Sequence, residues 1–222
     1  MNVTPSTELN DPVQLATRQQ ILEAAGEVFA EAGFRNATVR EICHRAEVNV
    51  AAINYHFGDK ETLYAEVLRY SQEKAHEKYP PLLDVSPSAP PEERLRAFIH
   101  SFLLRIFAKG SIAWHGKLMS REMVDPTAAL DSIIAEKIRP MAEQLRTIVA
   151  EILQRPGTDE LVRLCGFSIV SQCVFYHHCQ PVLTRLYPNQ PPLDTAGAAR
   201  LADHITRFSL AALLDLRVPP TP

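Results

Sequence analysis

Residues 38–63 read TVREICHRAEVNVAAINYHFGDKETL, and this stretch decides the fold. Thr38 is a favourable N-cap, and Glu41 follows it at the spacing of a capping box, so a helix is predicted to begin here. A tight turn comes next, and Asn49 is a favourable N-cap for a second helix over Val50–Phe57. Two short helices at this spacing are typical of a helix-turn-helix, whose second helix lies in the major groove of DNA. The stretch therefore predicts DNA as a partner.

The flanking residues predict two more helices around this motif. From Thr17 to Gly33, apolar residues recur on one stripe of an amphipathic helix. The stripe consists of Ile21, Leu22, Ala25, Val28, Phe29 and Ala32. Gly33 is placed to end that helix in a left-handed conformation, which lets Phe34 fold back on the core. Asp59 can cap a fourth helix that runs to about Tyr79.

Composition and length are those of an ordinary soluble protein. The chain has 222 residues, of which 46% are hydrophobic and 22% charged, enough for one large domain or two modest ones. It contains no apolar run of about 18 residues, and its N-terminus is polar, so neither a transmembrane helix nor a secretory signal is predicted. The four cysteines form no CxxC pair. A cytoplasmic protein with reduced thiols is therefore expected.

The charge balance is unusual for a protein that binds nucleic acid. The net charge is −3, and residues 1–70 hold six Lys or Arg against ten Asp or Glu. Three of these acids, Glu23, Glu27 and Glu31, lie on the first predicted helix, where they can form a solvated face away from DNA. Contact with phosphates depends on local charge and on oriented backbone N–H groups. The acidity therefore argues against strong non-specific binding, but not against specific binding.

The rest of the chain keeps helical periodicity. Helices are predicted over residues 92–108, 114–124, 127–154, 158–179 and 194–216. Five prolines between residues 80 and 91 mark a loop, and a second proline-rich connector separates the last two helices. Pro140 removes one hydrogen bond inside its helix and crowds the carbonyl of Glu136, so a kink is expected there. With no strand pattern and no internal repeat, the predicted fold class is all-α.

The N-terminal pattern is specific enough to resemble a known family. Its elements are an ILEAA…F…GF helix, a T-V-R-E-I helix start and a YHF-x-x-K-x-x-L ending. Together they resemble the DNA-binding domain of TetR/AcrR-type regulators over about residues 17–70. The segment INYHFGDKETLY and the C-terminal half are most similar to the CerR/YbiH (CecR) branch. The resemblance implies a homodimeric, usually repressive regulator that binds double-stranded DNA at a palindromic operator and a small molecule in a helical C-terminal domain.

The predicted domain organisation follows from this resemblance. Residues 1–14 are assigned to a disordered tail, residues 15–70 to the helix-turn-helix DNA-binding domain, and residues 71–222 to a ligand-binding and dimerisation domain. No cofactor and no resident metal are predicted.

The resemblance also implies which residues contact DNA. They are Thr38, Arg40, Asn49, Val50, Ala51, Ala52, Asn54, Tyr55, His56 and Lys60. Thr38 and Lys60 match positions that contact phosphate, whereas the start of the second helix faces the bases. Asn54 departs from the family pattern, in which many members carry tyrosine, and an asparagine can make bidentate hydrogen bonds to adenine. Phe57 is expected to be a core aromatic.

The C-terminal half holds the polar and aromatic residues that a buried ligand site needs. Candidates are Phe98, Phe102, Arg105, Trp114, His115, Arg121, Glu122, Phe175, Tyr176 and His177. The predicted ligand-binding set is Phe102, Arg105, Trp114, His115, Tyr176 and His177. For each of them, a role as a core aromatic or a surface charge stays open.

Two alternative functions stay open at this point. Cys173 and His177 are four residues apart, one above the other on a helix, as metal ligands often are, so the chain could be a metal- or thiol-responsive regulator. An enzyme with an appended DNA-binding domain is the second alternative, although no oxyanion element or orienting acid is suggested near these residues.

Dimerisation is predicted to use the last two long helices, over residues 158–180 and 194–217. Two copies of each helix can form a four-helix interface. The apolar positions proposed for it are Leu161, Leu164, Phe167, Ile169, Leu201, Ile205, Phe208 and Leu213.

Overall fold

A computed structural model of the chain describes residues 12–107 and 114–217. Every regular element in these two ranges is a helix, which confirms the predicted all-α class. The helices are α1 (Pro12–Asn36), α2 (Val39–Arg45), α3 (Val50–Phe57), α4 (Lys60–Lys78), α5 (Pro91–Ile106), α6 (Trp114–Val124), α7 (Ala129–Ile133), a π-helix (Ile134–Ile138), α8 (Arg139–Leu153), α9 (Glu160–His178), α10 (Gln180–Leu186) and α11 (Thr195–Leu216). None of them combines the length and the apolar character that crossing a membrane requires.

The chain forms two compact units. The first contains the described residues up to Glu73 together with Lys117–Leu130, and the second contains Lys74–Gly116 and the residues from Asp131 onwards. The boundary predicted at residue 70 lies close to Glu73. The sequence did not indicate that Lys117–Leu130, which includes most of α6, belongs with the first unit.

The core of the first unit is built on the apolar stripe of α1. Of the six predicted stripe residues, all except Ala32 are buried. The ring of Phe29 meets that of Tyr64 edge-on, with centroids 4.8 Å apart. The ring of Phe34 lies 4.9 Å from Tyr64, which confirms that the chain folds back after α1. These aromatic contacts fix α4 against α1 and so support the helix-turn-helix between them.

Gly33 ends the regular part of α1, as predicted. Its φ is 79° and its ψ is 163°, a combination open essentially only to glycine. A Cβ atom at Gly33 would lie 3.0 Å from Nη1 of Arg121. Glycine is therefore needed at this position both for the backbone turn and for the close approach of the Arg121 side chain from α6.

The core of the second unit lies between α5, α8, α9 and α11. Its buried residues include Ile169, Ile205 and Leu213, which were predicted to lie at a dimer interface. That prediction was wrong for these three side chains because they point into the core of their own chain, whereas neighbouring residues on the same helices point outward. Leu161 and Leu201 are partly buried against the same core.

A π-helix precedes Pro140, at the position where a kink was predicted. The segment Ile134–Ile138 is π-helical, and the N–H of Arg139 donates to the carbonyl of Ile134, five residues earlier. Pro140 then occupies the first turn of α8, where its missing N–H is not needed. A wider turn before the proline gives its ring the room that the carbonyl of Glu136 would otherwise take.

Two local predictions needed correction. The connector after α9 contains the short helix α10, because Pro181 lies in its first turn, where proline favours a helix. The predicted disordered tail covers residues 1–14, of which 1–11 lie outside the described residues. The last three residues of that range are helical, because α1 begins at Pro12.

Candidate nucleic-acid interface and ligand cavity

Side-chain caps fix both helices of the helix-turn-helix. The N–H of Glu41 donates to Oγ1 of Thr38 at 3.2 Å, and the N–H of Ala52 donates to Oδ1 of Asn49 at 2.9 Å. Between the two helices, Glu47 adopts a positive φ of 51°. Both predicted caps are therefore confirmed, and the start of α3 is set by a hydrogen bond local to the sequence.

One face of α3 is anchored in the core, and the opposite face is exposed. Ile53 and Phe57 are buried, which agrees with the expectation for Phe57. The predicted DNA contacts divide into seven exposed residues, Thr38, Arg40, Asn49, Val50, Ala51, Asn54 and Tyr55, and three half-buried ones, Ala52, His56 and Lys60. The exposed residues of α3 are Val50, Ala51, Asn54 and Tyr55, so the helix presents a row of exposed side chains.

Three of the predicted contacts also have structural partners. Nζ of Lys60 lies 4.7 Å from the ring centroid of Phe34 and 3.5 Å from the carbonyl oxygen of Arg35. The rings of Tyr55 and His56 meet edge-on at 5.0 Å. Partial burial, and then the charge of Arg18, lower the pKa of His56. The neutral imidazole is therefore favoured at neutral pH, and His56 contributes shape and hydrogen bonding rather than charge.

The acids of α1 are partly neutralised within the unit. Arg45 of α2 lies 3.0 Å from Glu31, 3.6 Å from Glu27 and 3.9 Å from Glu41. Its hydrogen bond lowers the pKa of Glu31. Glu23 accepts a hydrogen bond from the hydroxyl of Tyr70 at 2.9 Å. The predicted solvated acidic face is thus an ion-paired one that ties α1 to α2 and α4.

Arg121 and Glu122 were ligand candidates, and the structure gives both a structural role in the first unit. Arg121 donates to the carbonyl oxygens of Ala30 and Glu31, at 3.1 and 2.8 Å. Glu122 is buried and accepts hydrogen bonds from the hydroxyl of Tyr64 at 2.6 Å and from the N–H and Oγ1 of Thr127 at 3.1 and 3.2 Å. The sequence did not indicate these contacts, because Tyr64 lies 58 residues from Glu122, and Ala30 and Glu31 lie 91 and 90 residues from Arg121.

The second unit contains a cavity of about 700 Å³ between α5, α8 and α9. Its wall is mainly apolar and includes Phe98, Phe102, Ile138, Met141, Leu145, Val162 and Val170. Charged residues of the lining include Arg146, which pairs with Glu143, and Arg163, which donates to Glu160 at 2.9 Å. The volume lies within the range of small-molecule sites.

A group of basic side chains lies next to this cavity. Arg105 is 3% exposed, and His115 is 4% exposed. Burial, followed by the charges of Arg105, His76 and His177, lowers the pKa of His115 to about 3. Nδ1 of His177 has no hydrogen-bond partner within the described residues. The group therefore combines one permanent cation with imidazoles that favour the neutral form.

Gly116 allows α6 to start close to this group. A Cβ atom at Gly116 would lie 2.6 Å from the carbonyl oxygen of Ile106 and 3.1 Å from Cε1 of His177. Only a residue without a side chain fits at that distance, so Gly116 sets how near His115 can come to α5 and α9.

The six predicted ligand residues are distributed over several places in the second unit. Phe102 lines the cavity, and Arg105, His115 and His177 belong to the adjacent basic group. Tyr176 lines a different cavity of about 440 Å³ near α10, and Trp114 is buried but lines neither cavity. The sequence did not single out Met141 or His76. The sequence signal that could have indicated Met141 is its position directly after Pro140 in an amphipathic helix.

The cysteine–histidine cluster lacks the features of a metal or thiol site. The described residues contain no group of three His, Cys, Asp or Glu side chains that could hold a metal ion. Cys173 belongs to the hydrophobic core, and burial raises the pKa of its thiol to about 12. A thiolate is therefore strongly disfavoured at that position. All four cysteines are free.

Comparison with known proteins decides the family. Residues 21–67 match the family described as bacterial regulatory proteins, tetR family. Residues 91–213, more than half of the chain, match the family described as HTH-type transcriptional dual regulator CecR, C-terminal domain. The chain belongs to the TetR family. Its C-terminal domain is of the CecR type, so the predicted family and branch are both confirmed.

Two curated members of the TetR family illustrate the relationship. The chain is 32% identical to the HTH-type transcriptional dual regulator CecR of Shigella flexneri over 173 residues, 72% of this chain and 74% of CecR. It is 30% identical to the HTH-type transcriptional repressor NicS of Pseudomonas putida over 211 residues, 90% of this chain and 92% of NicS. The protein is a transcriptional regulator of the TetR family.

A solved TetR-type structure confirms the architecture. The crystal structure of AibR in complex with isovaleryl coenzyme A and operator DNA matches with a TM-score of 0.67 and 19% sequence identity. The match covers 86% of this chain and 97% of AibR. At this identity the likeness concerns the fold, an N-terminal helix-turn-helix domain followed by a helical C-terminal domain.

Proposed function

We propose that this TetR-family regulator is a ligand-responsive homodimeric repressor, which binds a palindromic operator and is released from it by a small molecule. The observation that carries the proposal is the exposed row of side chains on α3, a helix that is capped by Asn49 and anchored by the buried Ile53 and Phe57. NicS, which resembles the chain over most of its length, is a repressor, which supports the sign of regulation. The curated relatives named above are regulators, and no enzymatic activity is proposed.

Exposed apolar side chains on α9 and α11 support a homodimer. Leu164 and Phe167 on α9 are 50% and 60% exposed, and Phe208 on α11 is 63% exposed. Large apolar groups exposed on a surface favour association with another molecule. In a two-fold symmetric dimer the same surface would be buried on both copies. Of the eight positions predicted for the interface, these three are exposed, and Leu161 and Leu201 are partly buried.

The cavity between α5, α8 and α9 is the proposed effector site, together with the adjacent Arg105, His115 and His177. AibR, which shares the fold, binds isovaleryl coenzyme A, which supports a small-molecule site in the helical domain. Trp114 and Tyr176 stay proposed as residues that shape the site from a distance. An apolar cavity with a few convergent polar groups is the usual form of such a site.

Release from DNA is proposed to follow from linkage between the two sites. α4 begins next to α3 and continues as one helix to His76, whose Nε2 lies 3.3 Å from Nη1 of Arg105. A ligand that prefers a spacing of the two recognition helices unsuited to DNA lowers operator affinity by its differential affinity for the two states. α4 is therefore the proposed lever.

Selection of DNA sequences from a random pool by the full chain tests the proposal. The expected result is a palindrome whose half-sites lie about one helical turn of DNA apart, or a multiple of that distance. Footprints of two half-sites would support dimeric binding. The absence of any sequence preference at low salt would contradict the proposal.

Asn54 and Lys60 are expected to contribute to DNA binding in different ways. If Asn54 reads a base, Asn54→Ala should weaken binding to the selected operator by about 1–3 kcal/mol and relax the preference at one position of each half-site. Lys60→Met should instead weaken binding to all sequences equally and reduce the salt dependence by about one phosphate contact. Affinities measured on the operator and on single-base variants, at several salt concentrations, distinguish the two. An equal loss on all sequences for Asn54→Ala would show that Asn54 reads no base.

A further inference from the structure

Among the residues that the structure describes, the buried guanidinium of Arg105 has no negatively charged partner. Its Nε donates to the carbonyl oxygen of Ser101 at 3.4 Å, and its Nη1 lies 2.8 Å from Sδ of Met141 and 3.3 Å from Nε2 of His76. Its Nη2 has no hydrogen-bond partner in the described part of the chain. Burial lowers the pKa of Arg105 to about 10, which leaves the group charged at neutral pH.

The described surroundings of Arg105 place no negative charge beside it. Arg105, His76 and His177 all act on His115 in the sense that disfavours its cationic form. None of the salt bridges in the described residues of the second unit involves Arg105. The six residues from 108 to 113, AKGSIA, contain no acidic side chain. Buried charges in proteins are normally paired, so an unpaired one indicates a missing anion.

Arg105 is in direct contact with the wall of the 700 Å³ cavity. Met141 and Phe102 both line that cavity, and the Arg105 Cζ lies 5.8 Å from the ring centroid of Phe102. An anion that reached Arg105 would therefore have an apolar space beside it. Arg146 and Arg163, which also line the cavity, already have carboxylate partners on the surface. Arg139, the third arginine of the lining, is exposed to solvent. Among the arginines of the lining and its contacts, Arg105 is thus the buried one without a carboxylate partner in the described residues.

We infer that Arg105 binds the carboxylate of an apolar organic acid, whose hydrocarbon body occupies the cavity between α5, α8 and α9. The inference rests on the proposed function insofar as this acid is the effector. A guanidinium offers paired N–H donors that match the two oxygens of a carboxylate. A phosphate dianion would need more charged donors than this one cation supplies. The charge and the apolar wall together favour a monoanionic amphiphile.

Matched pairs of ligands test the inference on the full chain. The probes are straight-chain carboxylic acids of four to ten carbons and phenyl-substituted acids of similar length, each compared with its uncharged primary amide by calorimetric titration. In the wild-type protein at least one acid is expected to bind about tenfold or more tightly than its amide, because only the carboxylate pairs with the buried cation.

Two variants assign this preference to Arg105. Arg105→Met is expected to abolish the preference for acid over amide, whereas Arg163→Gln, at an exposed arginine of the same cavity, is expected to retain it. Arg105→Lys keeps the charge but loses the planar fork, and is expected to weaken acid binding by about tenfold while retaining some preference. It provides the test if Arg105→Met does not fold.

Two outcomes would overturn the inference. One is that no acid in the series binds more tightly than its amide in the wild-type protein. The other is that an Arg105 variant keeps the full preference. DNA selection in the absence of any acid gives a separate result, because operator binding without ligand does not need Arg105. Failure of that selection would refute the proposed function and leave the binding of acids intact.

Discussion

Two buried charged side chains, one in each unit, differ in how far their hydrogen-bonding groups are satisfied. Glu122 accepts three hydrogen bonds from Tyr64 and Thr127, so its carboxylate is well satisfied within the first unit. Within the described residues, the hydrogen-bonding groups near Arg105 in the second unit are a carbonyl, an imidazole and a thioether, and Nη2 has no partner. A satisfied buried charge stabilises one arrangement of the chain. An unsatisfied one is costly for folding and indicates a role in binding.

The largest expected effect is the loss of Glu122. Glu122→Ala leaves the Tyr64 hydroxyl and the Thr127 N–H without their acceptor, and each hydrogen bond to a charged group contributes roughly 1.5–3 kcal/mol. The free energy of unfolding should fall by about 3 kcal/mol or more, as measured by urea denaturation. Asp125→Ala is the control, since Asp125 pairs with Arg35 on the surface and its loss should change stability by less than about 1 kcal/mol. Similar losses for the two variants would contradict the structural role of Glu122.

The stability of the second unit is expected to fall with pH, because the buried His115 resists protonation. The folded-state pKa of His115 is lowered to about 3, whereas an unfolded histidine titrates near pH 6.5. The unfolded chain therefore binds more protons below pH 6.5, so the stability contributed by neutral His115 is present above that pH and is lost as the pH falls towards 3. Between pH 7 and pH 5 the loss is about 2 kcal/mol.

Urea denaturation at pH 7 and pH 5 measures this effect. The carboxyl groups whose pKa is lowered, among them Asp59 and Asp159, lose their contribution to stability below this pH range. The change in stability between pH 7 and pH 5 is therefore assigned to histidines. His115→Gln should reduce the difference between the two pH values. An unchanged pH dependence in that variant would assign the effect to other histidines, such as His56, His100 or His177.

The smallest expected effect has the opposite sign to the first. Arg105→Met removes an unpaired buried charge and replaces it with an apolar side chain of similar length, which is neutral or stabilising in such positions. The ligand-free variant should gain about 1 kcal/mol, or about 2–4 °C in Tm for a chain of this size. Thermal denaturation without ligand checks this. A loss of several degrees would mean that Arg105 holds the fold, and the contrast with Glu122 would disappear.

The sequence predicted the DNA-binding unit well because its determinants are local. Thr38, Asn49 and Asp59 cap helices through hydrogen bonds to N–H groups three residues away, and Gly33 interrupts the regular geometry of α1 by its own backbone conformation. Such signals need no knowledge of the rest of the chain.

The second unit was harder to predict because its determinants are distant in sequence. Ile169, Ile205 and Leu213 have the same apolar character as Phe167 and Phe208, so composition did not distinguish core from surface positions on α9 and α11. Glu122 acquires its role through Tyr64, which lies 58 residues away. Arg105 was predicted as a ligand residue from its residue type alone. That its Nη2 has no hydrogen-bond partner among the described residues became visible only in the three-dimensional structure.

The π-helix before Pro140 gives this part of the cavity wall a tolerance for a change in length. Its turn contains one more residue than an α-helical turn, but both turns complete one full rotation. Deleting one residue from Ile134–Ile138 would therefore let the turn close as an α-helix while α7 and α8 kept nearly the same relative rotation. In a regular α-helix the same deletion would rotate the two flanking segments by about 100° relative to each other. Met141, which follows the π-turn, would thus keep its place in the wall of the cavity.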